Sequence, residues 1–208
     1  MGSKPIVRPP KLGKGSRVAL VAPAGPLLEA DDLTRAQALC RALAYEPVLG
    51  KNAHARYGYL AGTDEERLSD LNSALSDPTI DAIWCIRGGY GSIRLLDRID
   101  YEALIAQPRV VIGFSDITAV LNAITQVTGL VTFHGPVARS SMSAFTRQHF
   151  ERVLARSVGA GRLERIPVAS GVLIPQENRI VSLSGNVHWS SICPTGKPYA
   201  TGIRKGAR

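Results

Sequence analysis

Short apolar runs alternate with amphipathic stretches over the first three quarters of the chain, and the period of each run predicts its structure. Arg17-Val18-Ala19-Leu20-Val21-Ala22 is apolar on both alternating faces and is stopped by Pro23, Gly25 and Pro26, which predicts a buried strand. From Asp31 to Tyr45, Leu33, Ala36, Leu39, Cys40 and Leu43 recur at helical spacing, with Pro47 just past the end; a helix is predicted there. A short strand at Val48-Leu49 follows. Thr63-Asp64-Glu65-Glu66 has the spacing of a capping box, in which Thr63 satisfies an early helix N–H and Glu66 reaches back to the Thr63 N–H. The helix it opens is expected to reach about Ser76. Ile80 to Ile86 and Arg109 to Phe114 are further continuous apolar runs, a helix is predicted from Ile117 to Val127, and Leu130-Val131-Thr132-Phe133 reads as another strand.

Strands apolar on both faces and alternating with helices predict a parallel sheet covered on both sides. The fold class expected is α/β, with a polar leader over residues 1–16 and a doubly wound parallel sheet over residues 17–158. In such sheets ligands gather at the carboxyl ends of the strands. Residues 162–183 alternate apolar and polar as hairpins do, and the stretch from Ser184 is rich in Gly, Ser, Pro and Lys. Residues 159–208 are therefore expected to begin a β-rich C-terminal domain that is incomplete.

Charge changes the picture less than its sum suggests. The formal net charge is +8, but residues 1–17 and 179–208 hold ten of the 25 bases and none of the 17 acids. The stretch between them is slightly acidic, which argues against a nucleic-acid-binding face and for solvated basic ends. Cys40, Cys85 and Cys193 are an odd number at spacings that match no zinc or disulfide framework, so a reducing cytoplasmic setting is expected. The N-terminus has no apolar signal core, and neither a membrane span nor a metal site is expected.

Two predicted strand ends carry residues suited to chemistry. Arg87-Gly88-Gly89-Tyr90-Gly91 follows the strand ending at Ile86; glycines there let a ligand approach the backbone and leave N–H groups to donate. The alternative is a plain tight turn. Gly113-Phe114-Ser115-Asp116 lies between a strand and a helix. A serine at such a turn projects its hydroxyl from the sheet, while the next N–H, that of Asp116, points toward an oxyanion at the same place. The full hydrolase elbow has glycine two residues after the serine, where this chain has Ile117, and on this motif alone Ser115 reads first as a helix cap. His134 ends a strand at the same rim, either as a base or as a structural histidine, and His149, on an amphipathic helix beside Arg147 and Arg152, reads as solvated surface.

Five motifs in register resemble the LD-carboxypeptidase family. They are Val18 to Pro26; Gly58-Tyr59-Leu60-Ala61-Gly62-Thr63-Asp64-Glu65-Glu66-Arg67 with Asp70-Leu71-Asn72; Arg87 to Gly91; Gly113 to Thr118; and Thr132-Phe133-His134-Gly135-Pro136. The resemblance implies a flavodoxin-like nucleophile domain, a serine-peptidase mechanism without a cofactor, and cytoplasmic cleavage of murein tetrapeptides at the bond to terminal D-alanine. It implies Ser115 as nucleophile, with Asp116 giving one oxyanion-hole N–H and the Gly88-Gly89 turn the other. Arg87 is expected either to pair with a substrate carboxylate or to form a structural ion pair.

The partner expected is a murein peptide, with no nucleic acid and no membrane, and homodimer formation is left open. The family's glutamate and histidine complete a Ser-His-Glu triad from the C-terminal domain, at positions expected beyond Arg208. Two alternatives follow: a microcin-immunity-type peptidase that cleaves a peptide-nucleotide, and a non-catalytic remnant.

Overall fold

The computed structural model describes residues 5–155 and the backbone of residues 186–187. Strand β1 (Arg17–Val21) leads through helix α1 (Asp32–Ala42) to β2 (Glu46–Leu49), and then through α2 (Asp64–Ser76) to β3 (Ala82–Cys85). A 3-10 helix over Ser92–Arg98 and the short α3 (Tyr101–Ala106) precede β4 (Val110–Gly113). A 3-10 turn (Ser115–Ile117) then opens α4 (Thr118–Thr128), followed by β5 (Thr132–His134), α5 (Ala144–Ala155) and the two-residue β6 (Asn186–Val187). The sheet order is β2-β1-β3-β4-β5-β6, with every pairing parallel.

The α/β expectation holds, and the side-chain period of two explains why the sheet needs helices on both faces. Along β1, Ala19 and Val21 enter one core with Leu71, Leu75, Ile83 and Val111. Val18 and Leu20 enter the opposite core with Cys40, Trp84, Ile112 and Phe150. Each central strand is therefore apolar throughout, as fully covered parallel strands must be. The chain steps outward from β1 to β2 and then back across to β3, so the connections after β1 and β3 diverge. That divergence opens a crevice at the carboxyl edge, where doubly wound sheets bind their ligands.

Local chemistry sets the boundaries. The Thr63 hydroxyl accepts from the Glu66 N–H at 3.2 Å while Glu66 accepts from the Thr63 N–H at 2.8 Å, so the capping box forms. Helix α4 ends at Gly129, which takes the left-handed conformation with φ 78°, as helix terminators commonly do. The buried Arg109 donates to the carbonyls of Ala74 and Asp77 at 3.0 and 2.8 Å. It thereby satisfies carbonyls that the end of α2 leaves open.

Residues 5–16 differ from the solvated leader that their charge suggested. Val7 forms a parallel bridge to Leu130, and the Leu12 N–H donates to the Leu154 carbonyl at 2.9 Å with the Leu12 side chain buried. Arg8, Lys11 and Lys14 remain exposed, so two apolar anchors hold a strap whose charges face water. The segment after β3 also carries two short helices where no element was predicted. The expected β-rich C-terminal domain and Cys193 lie outside the described residues.

Candidate active site

The residues singled out in the sequence meet at the carboxyl edge of the sheet. After β4 the chain passes through the extended Phe114 and turns sharply at Ser115, whose φ is +60°. Left-handed backbone at a residue other than glycine costs about 1–2 kcal/mol; Ala44, just past the end of α1, shares it with φ 62°, and at a strand-to-helix turn it is also the conformation of a nucleophile elbow. Ser115 is exposed there. Ser115 is not the cap of either helix: it is the first residue of the 3-10 turn, whose cap position is Phe114, and the cap position of α4 is Ile117.

The departure from the full elbow pattern has a steric explanation. A Cβ built on Gly113 would stand 2.3 Å from Ile117 Cγ2 and 2.7 Å from Ile117 Cβ. The positions two before and two after the serine therefore converge. One glycine of the pair is enough, and the bare Cα of Gly113 lets the buried Ile117 serve the core.

The Gly88-Gly89 turn packs directly on this elbow. A Cβ on Gly88 would lie 2.9 Å from the Phe114 carbonyl oxygen and 3.0 Å from Ser115 Cβ. On its other side the turn abuts the loop after β1: the Gly25 N–H donates to the Gly88 carbonyl at 3.0 Å, and a Cβ on Gly89 would meet Gly25 Cα at 2.6 Å. Three carboxyl-edge loops, those after β1, β3 and β4, thus stack backbone to backbone. The Arg87 guanidinium donates to the Pro26 carbonyl, which fastens the loop after β1, and no carboxylate of the described residues pairs with it.

Several supporting groups were not read as functional in the sequence. The fully buried Arg67 donates to the Pro23 carbonyl at 2.5 Å and the Gly91 carbonyl at 3.0 Å, so it clasps the loops after β1 and β3. Its charge is met by Asp64 at 2.5 Å, and Asp64 also holds Arg94 at 2.7 Å. Burial works against the Asp64 carboxylate, but hydrogen bonds from Arg94 and Arg67 outweigh it and hold the group below the usual carboxylate range. The Asp64 to Arg67 spacing, one turn apart beside a capping box, was the available signal.

Asp70 and Asn72 tie α2 to its neighbours. Asp70 accepts from the Asn52 N–H at 2.8 Å, and Asn72 accepts from the Asp100 N–H at 3.0 Å. Ser92, fully buried, binds Asp116 twice: its N–H donates to Asp116 Oδ2 at 2.9 Å and its hydroxyl to the Asp116 carbonyl at 2.7 Å.

Across the loop after β1, Asp32 accepts from the Leu28 and Glu29 N–H groups and pairs with Arg35 at 2.5 Å and Arg139 at 3.1 Å. Burial raises its pKa, yet the hydrogen bonds from Arg35, Leu28, Glu29 and Arg139 prevail and depress it far below the ordinary value.

His134 lies at the rim in register with Gly113. Its ring is tilted against Phe114 with centroids 4.8 Å apart, on the wall of an apolar cavity of about 380 Å³ that Phe133, Phe150 and Val153 also line. His149 faces the same cavity rather than open solvent, with Nδ1 2.8 Å from the Phe145 carbonyl oxygen. His54 is exposed on the loop after β2. Cys85 is buried in the core, and burial pushes its thiol pKa up to about 12, so it is not a reactive thiol at neutral pH. Among the described residues no cluster of His, Cys, Asp and Glu is arranged to hold a metal ion, and no helix is long and apolar enough to cross a membrane.

Residues 18–135 match the family described as the LD-carboxypeptidase N-terminal domain. A carboxypeptidase-class relative from Streptomyces coelicolor is 38% identical over 98% of this chain and 65% of its own length. The murein tetrapeptide carboxypeptidase of Pseudomonas aeruginosa is 48% identical over 59% of this chain and 39% of its own. Among solved structures, the microcin C7 self-immunity protein MccF in complex with aspartyl sulfamoyl adenosine superposes with a TM-score of 0.67 at 29% identity. That match covers 71% of this chain and 47% of MccF. The chain thus spans between about two fifths and two thirds of the length of these relatives.

MccF has also been captured with adenosine monophosphate and with glutamyl sulfamoyl guanosine. These complexes contradict the expected partners, a murein peptide and no nucleic acid. The murein peptide came from the family resemblance and the exclusion of nucleic acid from the distribution of charge, and a single nucleoside needs no basic face of the kind that binds a polymer.

Proposed function

The chain belongs to the LD-carboxypeptidase family, and on that premise we propose that it carries the nucleophile half of a serine hydrolase acting on small, nucleotide-linked peptides. The observation that carries the reading is the strained turn at Ser115, φ +60°, exposed at the head of β4 and packed against Gly88. Ala44 has the same φ at a helix end; what singles out Ser115 is that its strained turn joins a strand to a helix and stands exposed against the Gly88-Gly89 turn.

In the proposed reaction Ser115 Oγ attacks the scissile carbonyl carbon and its proton passes to a base. The carbonyl oxygen becomes an anion, stabilised by the Asp116 N–H and an N–H of the Gly88-Gly89 turn. Collapse expels the protonated amine and leaves an ester on Ser115, which water hydrolyses to free the serine. The base is the histidine that the family resemblance assigns, with its glutamate, to the C-terminal domain, outside the described residues. Arg87, which has no acidic partner among the described residues, is available to pair with a substrate carboxylate or phosphate.

The ligands held by MccF favour a substrate in which an amino-acyl or peptidyl group is joined to a nucleotide. The test takes the protein with the family's complete C-terminal domain, as wild type and as Ser115→Ala, incubates each with a peptidyl-nucleotide and, separately, with a murein tetrapeptide, and follows products by mass spectrometry. Cleavage of the peptidyl-nucleotide by the wild-type chain alone is the expected result. Cleavage of the murein tetrapeptide instead, the substrate for which the Pseudomonas aeruginosa relative is named, overturns the substrate assignment. Equal results for both proteins overturn the nucleophile.

A further inference from the structure

We propose that Ser92 is a positioning residue that holds the two halves of the oxyanion hole in register, an inference that rests on the assignment of Ser115 as nucleophile. Ser92 touches no reacting atom. Its two hydrogen bonds both end on Asp116, one on the carboxylate at 2.9 Å and one on the main-chain carbonyl at 2.7 Å. Side chain and main chain of one residue are thus held from one point, and rotation of Asp116 about its own backbone breaks at least one bond.

The donor itself, the Asp116 N–H, lies in the Ser115-Asp116 peptide plane. The other end of that plane is pinned, because Thr118 Oγ1 donates to the Ser115 carbonyl at 2.6 Å. In a trans peptide the N–H points opposite to the C=O, so fixing the carbonyl toward α4 aims the N–H away from it. Thr118 sets the direction of this plane, and Ser92 fixes the residue that follows it.

Ser92 also reaches the other half of the site. It directly follows Gly91, the last residue of the turn that begins at Arg87, and Gly88 of the same turn rests against Ser115. The turn is therefore attached to the elbow at two points four residues apart, by backbone contact at Gly88 and by hydrogen bonds at Ser92. A buried hydroxyl needs a partner to offset its desolvation; this one finds it on the residue whose N–H is the proposed donor.

Ser92→Ala removes the hydroxyl and keeps the backbone bond to Asp116, and Ser92→Thr restores a hydroxyl. For each protein, carrying the family's complete C-terminal domain, three quantities are measured: the rate at which a fluorophosphonate modifies Ser115, amide hydrogen exchange at Asp116 and Gly89 by NMR, and Tm. The expected result for Ser92→Ala is labelling about tenfold slower or more, Asp116 exchange about tenfold faster, and only a small fall in Tm. Ser92→Thr is expected to recover most of both losses.

Wild-type labelling and wild-type Asp116 exchange in Ser92→Ala overturn the proposal. So does a loss that merely follows Tm and is not recovered by Ser92→Thr. If the wild-type chain itself is not labelled, the nucleophile assignment fails on its own. The exchange comparison then still decides whether Ser92 fixes Asp116, with unchanged exchange overturning that role.

Discussion

The side chain of Ile117 occupies the space that a Cβ on Gly113 would need, with only 2.3 Å between that position and Ile117 Cγ2. This contact makes the turn at Ser115 tight, and it explains why isoleucine stands where the full elbow pattern has glycine. Gly113→Ala is therefore expected to destabilise the chain by about 2–3 kcal/mol through overpacking. In the double variant Gly113→Ala with Ile117→Gly the clash is gone. Its loss is expected to be smaller than the sum of the two single losses, by about 1 kcal/mol or more. Urea midpoints of the four proteins check this; strict additivity contradicts it.

Strain at Ser115 predicts a trade between stability and chemistry. Ser115→Gly relieves the left-handed penalty at φ +60°, whereas Ser115→Ala keeps it. The glycine variant is expected to be the more stable of the two by about 1 kcal/mol, and neither reacts with a fluorophosphonate. Thermal unfolding of the pair measures the difference, and equal Tm values would remove the argument from strain.

Asp32 predicts an acid dependence with a definite sign. Its folded pKa is depressed by Arg35, Arg139 and two backbone N–H groups despite burial, whereas in the unfolded chain it is near about 3.9. A depressed folded pKa contributes stability that is present above the unfolded value and lost as pH falls toward the folded one. Asp32→Asn is expected to cost about 2 kcal/mol at pH 7. The gap between wild type and variant should narrow steadily below about pH 4. Denaturation midpoints of both proteins at neutral and acid pH test it, and a constant gap would refute the linkage.

The N-terminal strap has a measurable anchor. Leu12 is buried against the α1 and α5 side of the sheet, and its N–H bonds to the Leu154 carbonyl. Leu12→Ala is expected to cost about 2–4 kcal/mol, while substitution of the exposed Lys11 or Lys14 should change stability by less than about 0.5 kcal/mol. A Leu12→Ala variant as stable as wild type would show the strap to be dispensable.

Much of the fold was legible because burial on both faces leaves a plain mark. The runs Val18 to Val21, Ala82 to Cys85 and Val110 to Gly113 became the three central strands, since no polar residue can sit on either side of them. The strap was misread because its two anchors, Val7 and Leu12, are too few to make a period and sit among five basic residues. The helices at Ser92–Arg98 and Tyr101–Ala106 are too short for a 3.6-residue period to show.

At the site, Ser115 and the glycine turn could be found from residue type at strand ends. Ser92 could not, and for Arg67 only its pairing with Asp64 was visible, because their roles depend on partners 24 to 44 residues away, at Asp116, Gly91 and Pro23. Only the folded sheet brings those partners together.

The central claim is that the elbow presents Ser115 as a nucleophile, and covalent labelling tests it most directly. The protein with the family's complete C-terminal domain, and its Ser115→Ala variant, are treated with a fluorophosphonate, and the modified peptide is mapped by mass spectrometry. The predicted result is a single adduct on the peptide that contains Ser115, absent from the variant. An unmodified wild-type chain, or the same adduct in both proteins, would contradict it.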